Sequence, residues 1–410
     1  MEYGCIGEKL KHSFSKEIHN LIAEYEYEIR EIAKDKLDRF AKEADFKAIN
    51  VTIPYKELII PHLSWIDEHA KLIGAVNTVV KREGKLYGYN TDFYGMTELI
   101  KHAKINVCGK KVAILGTGGT SKTAKAVLRS LGAKEVLTVS RKPSDNQIDY
   151  ETLVNQRKDV QIVINTTPCG MFPDNYNAPI NLDDFPKVEG VIDAVYNPLR
   201  TRLISQALSK GIPAEGGLYM LVAQAVKACE IFADKKLPND IVEETFNKII
   251  SQKQNVVLIG MPASGKTTVG GILAKKLNRQ VIDVDQVIES QGRKIVEIFE
   301  SGGENEFREI ESQVIKTISK NSGIVISTGG GAILKEENVK CLKQNGVLYF
   351  IDRPLQDLIP TKDRPLSNDI QSITQRYNER YHIYNAVCDV RVDASCTAEQ
   401  VAKIIAKDFE

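Results

Sequence analysis

Gly260–Thr268 reads GMPASGKTT. The stretch fits the pattern G-x-x-x-x-G-K-[ST], with Gly260, Gly265, Lys266 and Thr267 in the required places. Val256–Ile259 before it is a short apolar run suited to a buried strand, and Val269–Leu277 after it carries a helix pattern. Strand, glycine loop and helix in that order predict a phosphate-binding loop. Its glycines let backbone N–H groups curl around a phosphate, and Met261, Pro262, Ala263, Ser264 and Thr268 complete the expected binding stretch. The following helix presents the positive end of its dipole. Lys266 adds a mobile cation, and the Thr267 hydroxyl is a ligand for Mg²⁺. A glycine-rich turn matching by chance is the plainer alternative, and the flanking strand and helix argue against it.

The chain has 410 residues, too many for one core, so two or three domains are expected. A net charge of +1 argues against nucleic acid or a membrane surface as the main partner. The seven cysteines are scattered and form no C-x-x-C, which signals neither a zinc site nor a disulfide framework and fits a reducing compartment. No apolar run approaches the ~20 residues of a membrane helix, and the first residues, MEYGCIGEKL, follow neither a signal nor a transit pattern. A cytoplasmic protein is the expectation.

Ahead of the loop, polar residues gather at the ends of predicted strands, where ligands collect in α/β sheets. Ser13 and Ser15 precede a helical pattern and either cap it or face a polar ligand, with capping the simpler role. Phe46–Tyr55 reads as a strand running into NVTIPYK, with Thr52 and Lys56, and Pro54 ends the strand or fixes a turn. GAVNTVV supplies Asn77, and YNTDFYG places Asp92 at a strand-to-helix junction. Lys110–Leu115 is a buried-strand candidate that runs into GTGGTS, Gly116–Ser121, and then a helix from about Lys122. That is the unit of a dinucleotide-binding fold, with Gly116 and Gly118 in place, Gly119 extra, Thr120 following, and Ser121 where a third small residue belongs. The next strand, Glu135–Val139, ends in Ser140, Arg141 and Lys142 rather than a carboxylate, which suits a 2′-phosphate and predicts NADP over NAD. Further strand and helix alternation, through TTPCGM and YNPLRT with Tyr196, predicts a doubly wound parallel sheet. Gly217 opens an apolar helix in which Gln224 is buried against either a ligand or a core network.

The eight segments HSFS, NVTIPYK, GAVNT, YNTDFYG, GTGGTS, NTTPCGM, YNPLRT and GGLYMLVAQA occur in the order seen in shikimate dehydrogenases, which residues 1–250 resemble. The resemblance implies a two-lobed α/β protein, with a substrate lobe (1–104 and 226–250) around an NADP-binding Rossmann lobe (105–225). It implies reversible reduction of 3-dehydroshikimate to shikimate. It places Ser13 and Ser15 on the substrate carboxylate and Thr52, Asn77, Tyr196 and Gln224 around the ring, with Lys56 and Asp92 as the catalytic pair. Gly116, Gly118, Gly119, Thr120, Ser140, Arg141, Lys142 and Gly217 hold the cofactor. Glu8 and Lys16 depart from the family's pattern in the substrate loop.

After the polar connector Ser251–Asn255, Gln280–Val284 reads as a strand that brings Asp283 and Asp285 to one face. Paired like charges there call for metal or substrate. FESGGENEFREIE carries Arg308 on a helix, TGGGA is a second glycine cluster, DRPL lies in an irregular segment, and RYNERYHIYNAV is a helix with Arg380. With the phosphate loop, this order resembles shikimate kinase over 254–410. The resemblance implies a P-loop parallel-sheet domain of the nucleoside monophosphate kinase type that uses ATP and Mg²⁺. Asp285 would orient the attacking hydroxyl, Asp283 and Thr267 would serve Mg²⁺, and Arg364 on a lid would neutralise the transferred group. Arg308, Arg380, Gly329, Gly330 and Gly331 would bind shikimate. The segment from Pro354 to Arg364 is short for that family. Two other readings stay open: a nucleotide-sensing regulatory domain in place of the kinase, and a dehydrogenase preferring quinate. The oligomeric state is not legible.

Overall fold

The computed structural model describes residues 1–10, 14–359 and 369–409, so Ser13 and Arg364 lie outside the described residues. The chain divides into two units, Met1–Ile249 and Ile250–Glu410.

The first unit contains two sheets. β1 (Tyr3–Gly7), β2 (Tyr27–Glu31), β3 (Ala48–Val51), β4 (Trp65–Ile66), β5 (Thr78–Arg82) and β6 (Lys85–Tyr89) pair in the order β2-β1-β3-β5-β6-β4. The sheet is mixed: β1 runs parallel to β2 and β3, while β5 is antiparallel to β3 and β6. Ile6, Ile49, Val51 and Val79 form its core with Tyr55 and Ile59 from the segment after β3.

β7 (Lys111–Leu115), β8 (Glu135–Val139), β9 (Ile162–Asn165), β10 (Gly190–Asp193) and β11 (Ala214–Glu215) form an all-parallel sheet in the order β11-β10-β9-β7-β8. β7, β9 and β10 read as nearly continuous apolar runs because both faces of such a sheet are covered. Counted from β7 the order is 2-1-3-4-5, a doubly wound arrangement whose reversal between its first and third strands opens a crevice at their carboxyl ends. The loops after β7 and β9, Gly116–Gly118 and Thr166–Met171, flank that crevice. Helix Leu218–Ala233 then packs along helices Thr91–His102 and Ser15–Ile22 and runs through position 225 without a break.

Asp193, at the end of β10, is fully buried. Its carboxylate accepts from the Thr201 hydroxyl (2.7 Å), Asn165 Nδ2 (2.9 Å) and the Val195 N–H (3.0 Å). Asp193→Ala leaves three enclosed donors without an acceptor. A loss of about 3 kcal/mol is expected, read as a lower unfolding midpoint in denaturant.

In the second unit β12 (Asn255–Ile259), β13 (Val281–Asp283), β14 (Val325–Ser327), β15 (Gly346–Asp352) and β16 (Val390–Asp393) form a parallel sheet in the order β13-β14-β12-β15-β16. β12 is central and wholly buried, which explains its unbroken apolar sequence. The loops after β12 and β14 carry the two glycine clusters at the same edge of the sheet.

Three sequence expectations change. Ser251–Asn255 is not a polar connector: helix Ile241–Lys253 extends through Ser251 and β12 begins at Asn255. Asp283 and Asp285 do not alternate along one strand. β13 ends at Asp283, which caps helix Val284–Glu289 by accepting from the N–H groups of Asp285 (3.0 Å) and Gln286 (3.3 Å). A helix cap with its own hydrogen bonds wins over a longer strand. Ser15 does not cap its helix either: it is the first residue of Ser15–Ile22, and the cap position is Phe14, which makes no side-chain cap bond.

Candidate active sites

The first unit holds a cavity of about 550 Å³. Ser15, Thr52, Lys56, Asn77, Asp92 and Gln224 line it, and so do Thr120, Tyr196 and Gly217, so residues chosen from scattered motifs meet in one place. Lys56 lies on the short helix Tyr55–Leu58, just past the bend at Pro54, and Asp92 in the first turn of Thr91–His102. Lys56 Nζ donates to Asp92 Oδ2 at 2.6 Å, with the two side chains 22% and 14% exposed. Asn77 Nδ2 donates to the other carboxylate oxygen at 2.9 Å, and Asn77 Oδ1 accepts from the Thr91 N–H at 2.8 Å. Both oxygens of Asp92 are therefore held, and one of them holds the ammonium. Gln224 joins a core network, its Oε1 accepting from Thr91 Oγ1 at 3.3 Å, and it also lines the cavity.

The sequence reading passed over Asn50, Cys5, Lys9, Met171 and Met220, which line the same cavity. Asn50 organises its polar wall. It accepts from the Tyr27 hydroxyl (2.7 Å) and donates to the Asn77 carbonyl (3.3 Å) and to Thr78 Oγ1 (3.1 Å). A usable signal existed, since Asn50 is the single polar residue of the buried strand AINV. Burial pushes the Cys5 thiol up to about 12, and the Lys56 cation pulls the other way; this thiol stays protonated.

Gly116 follows β7 with φ of +107°, and a Cβ there would press on Thr167 and Thr166. Gly118 caps helix Gly119–Ser130, and a Cβ at Gly118 or Gly119 would meet no atom within 4 Å. The open space at a helix N-terminus fits a dinucleotide pyrophosphate. Ser140 follows β8, its hydroxyl accepting from the Lys142 N–H at 3.1 Å, and Arg141 and Lys142 are exposed beside it.

In the second unit the loop Gly260–Gly265 leads into helix Lys266–Leu277. Gly265 at φ +88° and Ala263 at φ +66° turn the backbone into the left-handed region. Lys266 Nζ donates to the carbonyls of Gly260 (2.9 Å) and Met261 (2.8 Å). The Ser264 hydroxyl is buried with no hydrogen-bond partner among the described residues. A loop of left-handed turns, a buried ammonium and an orphaned hydroxyl fit a nucleotide polyphosphate. Thr267 Oγ1 donates to Asp283 Oδ2 at 2.7 Å. Among the described residues no group of three or more His, Cys, Asp or Glu side chains could hold a metal. The hydroxyl and carboxylate oxygens of Thr267 and Asp283 are hard donors of the kind that suits Mg²⁺.

The remaining residues converge beside this loop. A Cβ at Gly329 would lie 3.0 Å from Asp285 Oδ1 and 2.6 Å from Glu311 Oε1, one at Gly330 would meet Pro262, and one at Gly331 would overlap the Arg308 guanidinium. Arg308 Nη1 pairs with Glu311 Oε2 at 2.7 Å, and Arg380 Nη1 donates to the Gly330 carbonyl at 3.2 Å. Burial pushes the Glu311 carboxyl up, against the pull of Arg308. Tyr384, which the sequence reading missed, is fully buried; its hydroxyl lies 2.8 Å from the Gly260 carbonyl and also reaches that of Gly330, joining the two glycine clusters.

Comparison with known proteins matches both units. The family model "Shikimate kinase" matches residues 262–410, and the model "Shikimate dehydrogenase substrate binding domain" matches residues 5–79. A shikimate dehydrogenase (NADP⁺) of Clostridium perfringens is 36% identical over 264 residues, covering 60% of this chain and 97% of that protein. The crystal structure of shikimate dehydrogenase 1 from Peptoclostridium difficile superposes with a TM-score of 0.56 at 38% identity, covering 61% of this chain and 98% of that one. The Thermus thermophilus shikimate 5-dehydrogenase, in complex with NADP(H) and shikimate, gives 0.55 at 28% identity, covering 60% and 99%. With an NADP-type lobe built on β7–β11 and a phosphate loop and arginine pair in the second unit, the chain belongs to the shikimate dehydrogenase family and carries a shikimate kinase domain fused behind it.

Proposed function

We propose that the chain catalyses two consecutive steps: NADPH-dependent reduction of 3-dehydroshikimate to shikimate in the first unit, and MgATP-dependent phosphorylation of shikimate to shikimate 3-phosphate in the second. The Lys56–Asp92 pair in the cavity carries the first half of this reading. The Asp285–Arg308–Gly331 cluster beside the phosphate loop carries the second and speaks against a purely nucleotide-sensing domain.

NADPH, when bound along Gly116–Thr120, supplies a hydride to the ketone carbon. The chain's own residues do the rest. Lys56 donates a proton to the ketone oxygen as negative charge develops there, and Asp92 fixes the ammonium in line. Ser15, Thr52, Asn77, Tyr196 and Gln224 hold the carboxylate and ring hydroxyls. Ser13, the other proposed carboxylate partner, is outside the described residues. In the second unit Lys266 and the loop N–H groups bind phosphate, and Thr267 and Asp283 hold the cation. Arg308 and Arg380 clamp the carboxylate, and Asp285 orients the attacking hydroxyl. Arg364 remains a proposed neutraliser outside the described residues. Among the described residues no helix is long and apolar enough to cross a membrane. All seven cysteines are free, in keeping with the reducing cytoplasm in which we place the chain.

The two halves are tested separately: oxidation of NADPH on adding 3-dehydroshikimate, and release of ADP on adding shikimate and MgATP. In the reverse direction shikimate and quinate are compared as reductants of NADP⁺, and a higher kcat/KM for quinate would overturn the substrate assignment. Two variants sharpen the test. Arg141→Ala is expected to lower kcat/KM for NADPH about tenfold and leave that for NADH nearly unchanged, because only NADPH carries the 2′-phosphate. Gly331→Ala drives a methyl group into the Arg308 guanidinium. It is expected to raise the shikimate KM of phosphorylation at least about tenfold, while reduction in the same chain continues.

A further inference from the structure

We infer that Arg353 is a nucleotide-phosphate ligand of the kinase unit. Arg353 follows directly on β15, the strand hydrogen-bonded to the phosphate-loop strand β12. A Cβ built at Gly265 would lie 3.9 Å from Arg353 Nη1, so the guanidinium stands beside the residue that caps helix Lys266–Leu277. Its Nε is buried and has no hydrogen-bond acceptor among the described residues. The adjacent carboxylate does not serve it. Oδ2 of Asp352 is engaged by Arg391, whose Nε and Nη2 approach at 2.7 and 2.6 Å, and by the Tyr381 hydroxyl at 3.2 Å, and among the described residues Arg353 Nε donates to neither oxygen.

Electrostatics makes this arrangement informative. A helix N-terminus carries positive partial charge, and Lys266 already places a buried ammonium there. A further guanidinium with an enclosed, unpaired N–H adds a like charge and an unmet donor, and each is costly in a protein interior. An anion shared by the helix terminus, Lys266 and Arg353 removes both costs. The planar guanidinium fork suits two oxygens of a phosphate better than a lysine would. The class of ligand is the polyphosphate of a nucleoside triphosphate, and the inference rests on the kinase reading above.

The test uses the full chain and a non-hydrolysable ATP analogue with Mg²⁺. The dissociation constant is measured by calorimetry for the unaltered chain, Arg353→Ala and Arg353→Lys, alongside the KM values for MgATP and shikimate. The alanine variant is expected to bind the analogue about tenfold more weakly, with the shikimate KM unchanged and the lysine variant between. Dehydrogenase turnover and the unfolding midpoint report that the chain is intact. An analogue affinity within about twofold of the unaltered chain in Arg353→Ala, with or without a lower midpoint, overturns the assignment of Arg353 and leaves the kinase reading standing. Failure of the unaltered chain to bind the analogue overturns both.

Discussion

Lys56→Ala is expected to lower kcat for reduction of 3-dehydroshikimate by about 10²–10⁴-fold, with a much smaller change in KM. Hydride addition to a ketone leaves charge on oxygen, and the cavity must supply a proton where that charge forms. Lys9 and Lys56 both line the cavity, and Lys56 is the one locked to a carboxylate among the described residues, at 2.6 Å from Asp92. Removing it takes away an interaction that strengthens in the transition state, which is why kcat rather than KM should respond. Asp92→Asn should lower kcat as well: an amide neutralises the anchor for Lys56 and sets an NH₂ group against either the ammonium or Asn77 Nδ2. Phosphorylation of shikimate by the same preparations reports that the second unit is intact, and an unchanged unfolding midpoint reports it for the first. A Lys56→Ala chain with unchanged kcat removes this residue from the mechanism.

Asp285→Asn should cut the kcat of shikimate phosphorylation by at least about 10²-fold and leave reduction untouched. Asp285 stands in the first turn of helix Val284–Glu289, with its N–H fixed by Asp283, and faces Gly329. An asparagine keeps the size and the cap but cannot accept a proton from the attacking hydroxyl. Affinity for MgATP should hold, because the phosphate loop, Thr267 and Asp283 are intact. Equal losses in nucleotide binding and turnover would instead assign Asp285 to the cation.

Much of this was legible in the sequence because glycine loops between apolar strands and helices have few alternatives. Gly116–Thr120 and Gly260–Thr268 fall where strand, turn and helix were expected. Asp283 and Asp285 were misplaced for a local reason. Alternation of carboxylates with valines mimics a strand, yet Asp283-Val-Asp-Gln286 also has the D-x-x-Q spacing of a helix start, and that signal decides the structure. Ser251 and its neighbours look like a linker only if polarity is taken for irregularity; they are the last turn of a helix. Asn50 was marked by its place in an otherwise apolar buried strand, but Tyr384 and Arg353 carry no such signal, because what they approach lies in distant elements: two glycine carbonyls for Tyr384, and the phosphate-loop residue Gly265 for Arg353. Only the folded chain brings those pairs together.

The most direct test supplies the purified chain with 3-dehydroshikimate, NADPH and MgATP together and follows the products by mass spectrometry. Shikimate 3-phosphate should accumulate, with one NADPH oxidised and one ATP consumed for each molecule formed. Recovery of unreacted 3-dehydroshikimate from a folded chain would contradict the account, and so would a stop at shikimate with ATP intact.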